Sequence, residues 1–285
     1  MKKELYLKNL VHKKYSNKPS DVNTISYLNK EVPYIEYKIE DICKLPFLEC
    51  DLDKIPKKIF TMWHTLDLPP IMNNIVNKMK EIHNDFEYHI YDQSMCENFL
   101  KENFTAEVLW VSNSLIPMSY KSDLWRFCLL YIYGGIYYDI KFQVINNFTF
   151  HKFLDKEYFC NDTFEFNNGF NTLTGLLVCK PRNQYLLIAI KSICQNIHDN
   201  YYGENCLMPT GPGLLGLIFP PKDYNMRLGD RDVDNTNTIF LDDKPIIVGY
   251  KEYRDEQKLY PSQIHYSELW SRREIYLKSS IQKLI

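Results

Sequence analysis

The sequence predicts an α/β protein with a central mixed, mostly parallel sheet. Three observations carry that reading. Strand and helix patterns alternate between residues 55 and 112. A helical pattern at 118–133 runs through a double glycine straight into a strand pattern. The 285-residue chain is 45% hydrophobic and 25% charged, which is enough to bury a substantial core and excludes general disorder.

Residues 1–50 mix Lys, Asn, Ser and Pro with short apolar pieces. They read as an N-terminal extension packed on or flanking a single domain over 51–285. The segment 55–63 reads as a strand led in by Pro56, with β-branched and aromatic residues. After Pro69-Pro70, residues 71–83 predict a helix with Ile71, Ile75, Met79 and Ile82 on one face. Residues 86–91 alternate as a strand, and short helices follow at 94–102 and 105–112. This order implies parallel strands joined by crossover helices. The helix at 118–133 has Ser119 as its expected N-cap and Gly134-Gly135 as its stop. A strand over 136–142 follows. Further strands are expected near 175–179 and 245–250, and helices at 183–198 and 267–283. A Gly/Pro loop is expected over 209–216, and a turn at Asp242-Asp243 before Lys244-Pro245.

Charge and cysteine usage exclude several functions. A formal net charge of −2 offers no basic face for nucleic acid. The basic stretch 1–14 lacks the apolar core of a secretory signal. The longest apolar runs, such as 173–179 and 214–219, are too short to span a bilayer. The eight cysteines include no C-x-x-C pair and no zinc spacing, so reduced thiols are expected. Together these predict a soluble, cytoplasmic protein, and nothing in them fixes an oligomeric state. Enrichment in Lys, Asn, Ile and Tyr suits an AT-rich genome, viral among others, which adds a host cytoplasm as a compartment.

The chemistry concentrates in Ser122-Asp123-x-x-Arg126 followed by Gly134-Gly135-x-Tyr137-x-Asp139-x-Lys141. Asp123 and Arg126 stand at i and i+3 on one helix face, by itself an ordinary structural ion pair. The strand pattern then puts Tyr137, Asp139 and Lys141 on one face. In an open α/β sheet, ligands bind at the C-terminal ends of such strands. The chain has only 10 glycines, so two in succession beside Asp139 single out this turn.

These motifs resemble the sugar-nucleotide signature of DXD-type glycosyltransferases, above all glycosyltransferase family 32 and the related clostridial toxins. Ile55-Pro-Lys-Lys-Ile-Phe-Thr-Met-Trp63, Thr210-Gly-Pro-Gly213 and His265 with Trp270 resemble other family segments in the same order, so the resemblance covers about residues 51–285. It implies a GT-A fold, the Rossmann-like nucleotide-diphospho-sugar transferase fold. It also implies a retaining transfer of a hexose or N-acetylhexosamine from a UDP- or GDP-linked donor to a glycan or other hydroxyl acceptor. By this resemblance Trp63 stacks on the nucleobase. Asp123 and Arg126 hold sugar hydroxyls, with Arg126 also reaching a phosphate. Tyr137 and Asp139 meet the ribose or sugar, and Gly135 belongs to the same donor-binding block. His265 and Trp270 close over the diphosphate.

One departure matters. The family's second carboxylate, which helps bind Mn²⁺ or Mg²⁺, is Lys141 here. Three readings stay open: the ammonium neutralises the diphosphate itself; Asp139, His265 and water still hold a metal; or catalysis is lost and the chain is a sugar-nucleotide or glycan-binding module. A nucleotidyltransferase on a similar sheet is a further rival. Asp162 and residues 168–171 fall where a loop could approach the acceptor.

Overall fold

The computed structural model describes residues 42–44, 51–162, 171–218, 226–231, 236–260 and 264–277. Most of the extension read at 1–50 therefore lies outside the described residues. Ile42 and Cys43 within it are buried in the main core, and Cys43 bridges Phe104.

The strands are β1 (Lys58–Met62), β2 (Glu87–Tyr91), β3 (Gly135–Tyr138), β4 (Phe142–Val144), β5 (Tyr158–Asp162), β6 (Asn171–Cys179), β7 (Met226–Arg231), β8 (Asn237–Leu241) and β9 (Lys244–Gly249). They form one sheet in the order β2-β1-β3-β6-β5-β7-β8-β9-β4. The helices are α1 (Pro70–Ile82), α2 (Gln93–Asn103), α3 (Ala106–Ser114), α4 (Met118–Tyr133), α5 (Gln184–His198), α6 (Pro212–Ile218), α7 (Tyr253–Gln257) and α8 (Tyr266–Ser271). The α/β class and the mixed sheet agree with expectation. The expected parallel majority does not: only β1–β2, β1–β3 and β5–β7 are parallel among eight pairings. The crossover helices occupy the N-terminal half, where β1, β2 and β3 run together, and hairpins make the rest antiparallel.

Side-chain alternation divides two cores. Phe60, Tyr137, Leu177 and Cys179 face one core, which also takes residues from α2, α3, α4, α5, α6 and α8. Ile59, Trp63, Ile136, Tyr138, Leu176 and Val178 face the other, with α1 and the β7–β9 meander. All nine residues of β6 are buried, as suits a central strand covered on both faces.

The sheet also curls. Six steps of strand spacing separate β3 from β4, about 29 Å if flat. The three residues that join them reach at most about 14 Å. The end of the sheet must therefore return to β3, and residues 139–141 form the bridge. The Asp139 N–H donates to the Gly175 carbonyl at 2.8 Å, and the Tyr250 N–H donates to the Lys141 carbonyl at 3.0 Å.

Several local expectations change. The strand expected over 136–142 breaks after Tyr138, because the Phe142 N–H turns back to the Asp139 carbonyl at 2.9 Å. The buried face of α1 is Met72, Ile75, Val76 and Met79, while Ile71 and Ile82 are exposed. Pro117, not Ser119, is the N-cap of α4, with no side-chain cap. Part of the expected 209–216 loop is helix α6, begun by Pro212, whose missing N–H is no loss there. The C-terminal helix stops at Ser271, two residues before Arg273 takes a positive φ of 57°, and 278–285 lie outside the described residues. Asp242 and Asp243 do form the turn, with φ of 48° and 59° in a two-residue hairpin. The seven described cysteines are free thiols. No helix among the described residues is long and apolar enough to cross a membrane.

Candidate active site

Helix α4 is buried nearly all round, from Ser122 to Ile132, and carries Asp123 and Arg126 into the core. Burying charges is costly unless each is paired and hydrogen-bonded. Arg126 meets that condition. Its Nε donates to the Ser122 carbonyl (3.1 Å), Nη2 to Ser122 Oγ (2.6 Å), and Nη1 to the Thr174 carbonyl (2.8 Å) and Asp139 Oδ1 (3.2 Å). Its guanidinium lies 4.4 Å from the Tyr137 ring centroid, a cation–π contact. Asp123 Oδ1 is 3.8 Å from Arg126 Nε, and Asp123 Oδ2 accepts from Thr210 Oγ1 at 3.0 Å.

Asp139 lies just beyond the C-terminal end of β3. Oδ1 accepts from Arg126 and from the Tyr137 hydroxyl (3.0 Å), and Oδ2 faces Lys141 Nζ at 3.1 Å. Its side chain stays 26% exposed, so the carboxylate borders solvent while both its oxygens are held. Burial alone would raise its pKa, but the Lys141 and Arg126 charges prevail and lower it to about 2. Asp123 goes the other way: burial raises its pKa, and Arg126 offsets only part. One scaffold thus pushes two carboxyls apart.

Two glycines make room for these carboxylates. A Cβ at Gly175 would stand 2.7 Å from Asp139 Oδ2, and one at Gly211 would stand 2.8 Å from Asp123 Oδ2. The double glycine has a different task. Gly134 ends α4 at φ +62°, and a Cβ at Gly135 (φ +99°) would meet the Lys58 carbonyl at 2.7 Å. Gly135 lies at the far end of β3, about 13 Å from Asp139. Its grouping with donor-binding residues is corrected to backbone packing.

The structure brings Asp123, Arg126, Tyr137, Asp139 and Lys141 together as expected. It corrects some expected roles. Tyr137 is 1% exposed and Arg126 is 6% exposed, so they position Asp139 rather than present themselves to a ligand. Trp63 is 4% exposed, enclosed by the edges of Tyr253 and Tyr260, and its buried Nε1 has no hydrogen-bond partner among the described residues. A base could stack there only after those rings move. Trp270 Nε1 donates to the Tyr202 carbonyl at 2.6 Å, so its polar edge already holds the C-terminal segment. His265 caps α8, accepting from the Ser267 N–H at 3.4 Å. Burial, then the nearby Arg254 charge, depresses its pKa.

Sequence reasoning missed Thr174-Gly175 and the α7 segment. Scarcity of glycine was a usable pointer to Gly175; no expectation covered residues 251–258. Yet Glu256 is buried there. Its carboxylate accepts from the backbone N–H groups of Ile71 (2.8 Å) and Met72 (2.9 Å) and from the Tyr250 hydroxyl (2.9 Å). It caps the N-terminus of α1 from across the chain, where Pro69 provides no side-chain cap. That anchor fixes Tyr253 and Arg254 beside Lys141, around a cavity of about 160 Å³.

Residues 69–160 match the family model described as a glycosyltransferase sugar-binding region containing DXD motif. That stretch is similar to the sugar-binding region of DXD-type glycosyltransferases. It contains α4, β3 and the 139–141 bridge, and so Asp123, Arg126, Tyr137, Asp139 and Lys141, while Thr174 and Thr210 lie beyond it. The chain is 25% identical over 196 residues to the mannosyl phosphorylinositol ceramide synthase SUR1 of Saccharomyces cerevisiae, covering 64% of this chain and 48% of that protein. It is 28% identical over 93 residues to the inositol phosphoceramide mannosyltransferase 1 of Schizosaccharomyces pombe, covering 32% and 29%. It is 27% identical over 164 residues to the uncharacterized glycosyltransferase L373 of Acanthamoeba polyphaga mimivirus, covering 56% and 63%. The chain thus spans about half or less of the two yeast proteins. A solved structure, the PaToxG glycosyltransferase, aligns at 14% identity with a TM-score of 0.41, over 58% of this chain and 69% of that one.

The similar DXD family implies a divalent cation, and the residues of the matched stretch do not suit one. Asp139 is the expected ligand. Its Oδ2 is paired with an ammonium, and its Oδ1 with a guanidinium and a phenol. Divalent cations take several oxygen donors, whereas here fixed positive charges occupy their place. Among the described residues no group of three His, Cys, Asp or Glu side chains is set to hold a metal ion.

Proposed function

We propose that the protein transfers a sugar from a UDP- or GDP-linked donor to a hydroxyl of a glycan or lipid acceptor. The observation that carries this reading is the Asp139 carboxylate, held by Arg126, Tyr137 and Lys141 at the C-terminal end of β3 inside the matched region. A GT-A arrangement over 51–285 and retention of anomeric configuration belong to the same reading. The names of the yeast relatives support a hexose, mannose in their case, and an inositol phosphate-bearing acceptor.

The chemistry divides between bonds and charge. The bond from the anomeric carbon to the phosphate oxygen breaks, and the acceptor oxygen bonds to that carbon on the same face. The acceptor's proton passes to the departing phosphate, so no strong general base is needed. Asp139, ionised well below neutral pH, faces the sugar and its developing positive charge. Asp123, held by the Thr210 hydroxyl in the space that Gly211 leaves, supports the Arg126 network from behind.

The test is incubation with labelled UDP- and GDP-sugars, with and without candidate acceptors. Release or transfer of the sugar is expected, and Asp139→Asn should reduce it by about 100-fold or more. Release of pyrophosphate with the sugar–phosphate bond intact would point instead to a nucleotidyltransferase. A second reading, a binding module without turnover, is favoured by the occupation of Asp139 Oδ2 by Lys141. Donor binding without any sugar release would establish it.

A further inference from the structure

The cavity beside Lys141 is the strongest feature that the transfer reading does not use. Its volume of about 160 Å³ is below the roughly 300 Å³ at which small-molecule pockets begin, so it takes a charged group rather than a whole nucleotide sugar. Lys141, Lys251 and Arg254 line it, with Thr236 and Asn237. The acid on its wall, Asp255, is paired with Lys258 Nζ at 2.8 Å. The curled sheet makes this cavity: the 139–141 bridge sets Lys141 against Tyr250, and Glu256 anchors α7 at the same edge.

We infer that the donor's diphosphate binds in this cavity to Lys141, Arg254 and Lys251, protein cations standing where the DXD family uses a divalent ion. This inference rests on the glycosyl-transfer reading above and names how its leaving group is held. Three observations combine. Lys141 lines the cavity and its Nζ lies 3.1 Å from Asp139 Oδ2, which links the phosphate subsite to the carboxylate of the transfer reading. Arg254 lines the cavity and supplies a planar donor fork suited to phosphate oxygens, of which Nη1 donates to Gln257 Oε1 at 2.7 Å. Lys251 lines the same cavity, 64% exposed and 3.9 Å from Glu252 Oε1. No bond is made or broken by these residues. They neutralise charge on the oxygen that leaves with the diphosphate.

The test is binding of UDP and of GDP to the full chain by calorimetry, once with EDTA and once with Mn²⁺. Binding in EDTA within about threefold of that in Mn²⁺ is expected, with a strong weakening as salt rises. Lys141→Ala and Arg254→Ala should each weaken binding in EDTA by about tenfold or more, and Lys251→Ala by less because it is exposed. Arg254→Lys should recover part of the loss, which a merely structural role would not produce. Lys141→Asp, which restores a second carboxylate, should bind only with Mn²⁺. Wild-type binding that requires Mn²⁺, or unchanged affinity in folded Lys141→Ala and Arg254→Ala, overturns the inference and leaves the transfer reading standing. Failure of both nucleotides to bind under either condition overturns the donor class itself.

Discussion

Asp139 shows how much one side chain depends on its neighbours' shapes. Its carboxylate has room only because residue 175 has no Cβ. Gly175 has no positive φ among the described residues, so alanine suits its backbone and the fold should tolerate it. The added methyl would instead displace Asp139 Oδ2 from Lys141. Gly175→Ala is therefore expected to leave the melting temperature nearly unchanged while lowering sugar release about 100-fold, as a misplacement of about 1 Å does. Equal loss of both would show that Gly175 serves packing alone. At this scale the sequence was legible where chemistry and spacing coincide. Asp123, Arg126, Tyr137, Asp139 and Lys141 do meet, although the strand expected to carry Asp139 and Lys141 ends at Tyr138 and a turn carries them instead. Trp63, Gly135 and Trp270 differ because their spacing says nothing about which neighbour already claims them: Tyr253 and Tyr260, the Lys58 carbonyl, and the Tyr202 carbonyl.

Helix α1 depends on an acid that its own sequence does not contain. Its first turn has no acidic residue and its N-cap is Pro69, so among the described residues Glu256 is the side-chain acceptor for the Ile71 and Met72 N–H groups. Glu256→Ala would leave those donors buried or half-buried without that partner, at a cost on the order of 2 kcal/mol or more. A lower urea midpoint with unchanged slope is the expected measurement. Glu256→Gln, which keeps an acceptor oxygen, should lose less. The same change should weaken nucleoside diphosphate binding, because α7 carries Arg254. A loss below about 0.5 kcal/mol for Glu256→Ala would place the anchor elsewhere. Elements with strong local signals were legible: α4 ends where glycine demands it, and Asn183 caps α5 through the Tyr185 and Leu186 N–H groups. The cap of α1 was not, since it comes from 184 residues away along the chain.

For the whole molecule, strand order was the least legible property. The β-α-β pattern gave the parallel half, but only long-range contacts set β4 at the far edge and curl the sheet back to β3. A second long-range tie gives the fold a pH response. His83 is 1% exposed and joins α1 to the turn before β5. Its Nε2 accepts from the Phe150 N–H at 2.9 Å, so the proton sits on Nδ1, which donates to the Met79 carbonyl at 2.8 Å. Protonation of Nε2 would set two hydrogens against each other. Burial depresses the His83 pKa and prevails over the opposing hydrogen bond to the Met79 carbonyl, with His151 adding to the depression and Asp85 opposing it. The unfolded chain then binds more protons than the folded one. Stability from this site is full above the unfolded value of about 6.5 and falls as the pH drops through it. Asp123 acts with the opposite sign, since a raised carboxyl pKa costs stability as the pH climbs above about 3.9. The imidazole's share is therefore read as a difference. Between about pH 7.5 and 5.5, wild-type melting temperature should fall more steeply than that of His83→Gln. Glutamine can offer the same donor and acceptor without titrating, and each kcal/mol corresponds to about 2–4 °C. Parallel slopes for the two proteins would mean that the acid response arises at other groups and that the tie between α1 and Phe150 does not sense protons.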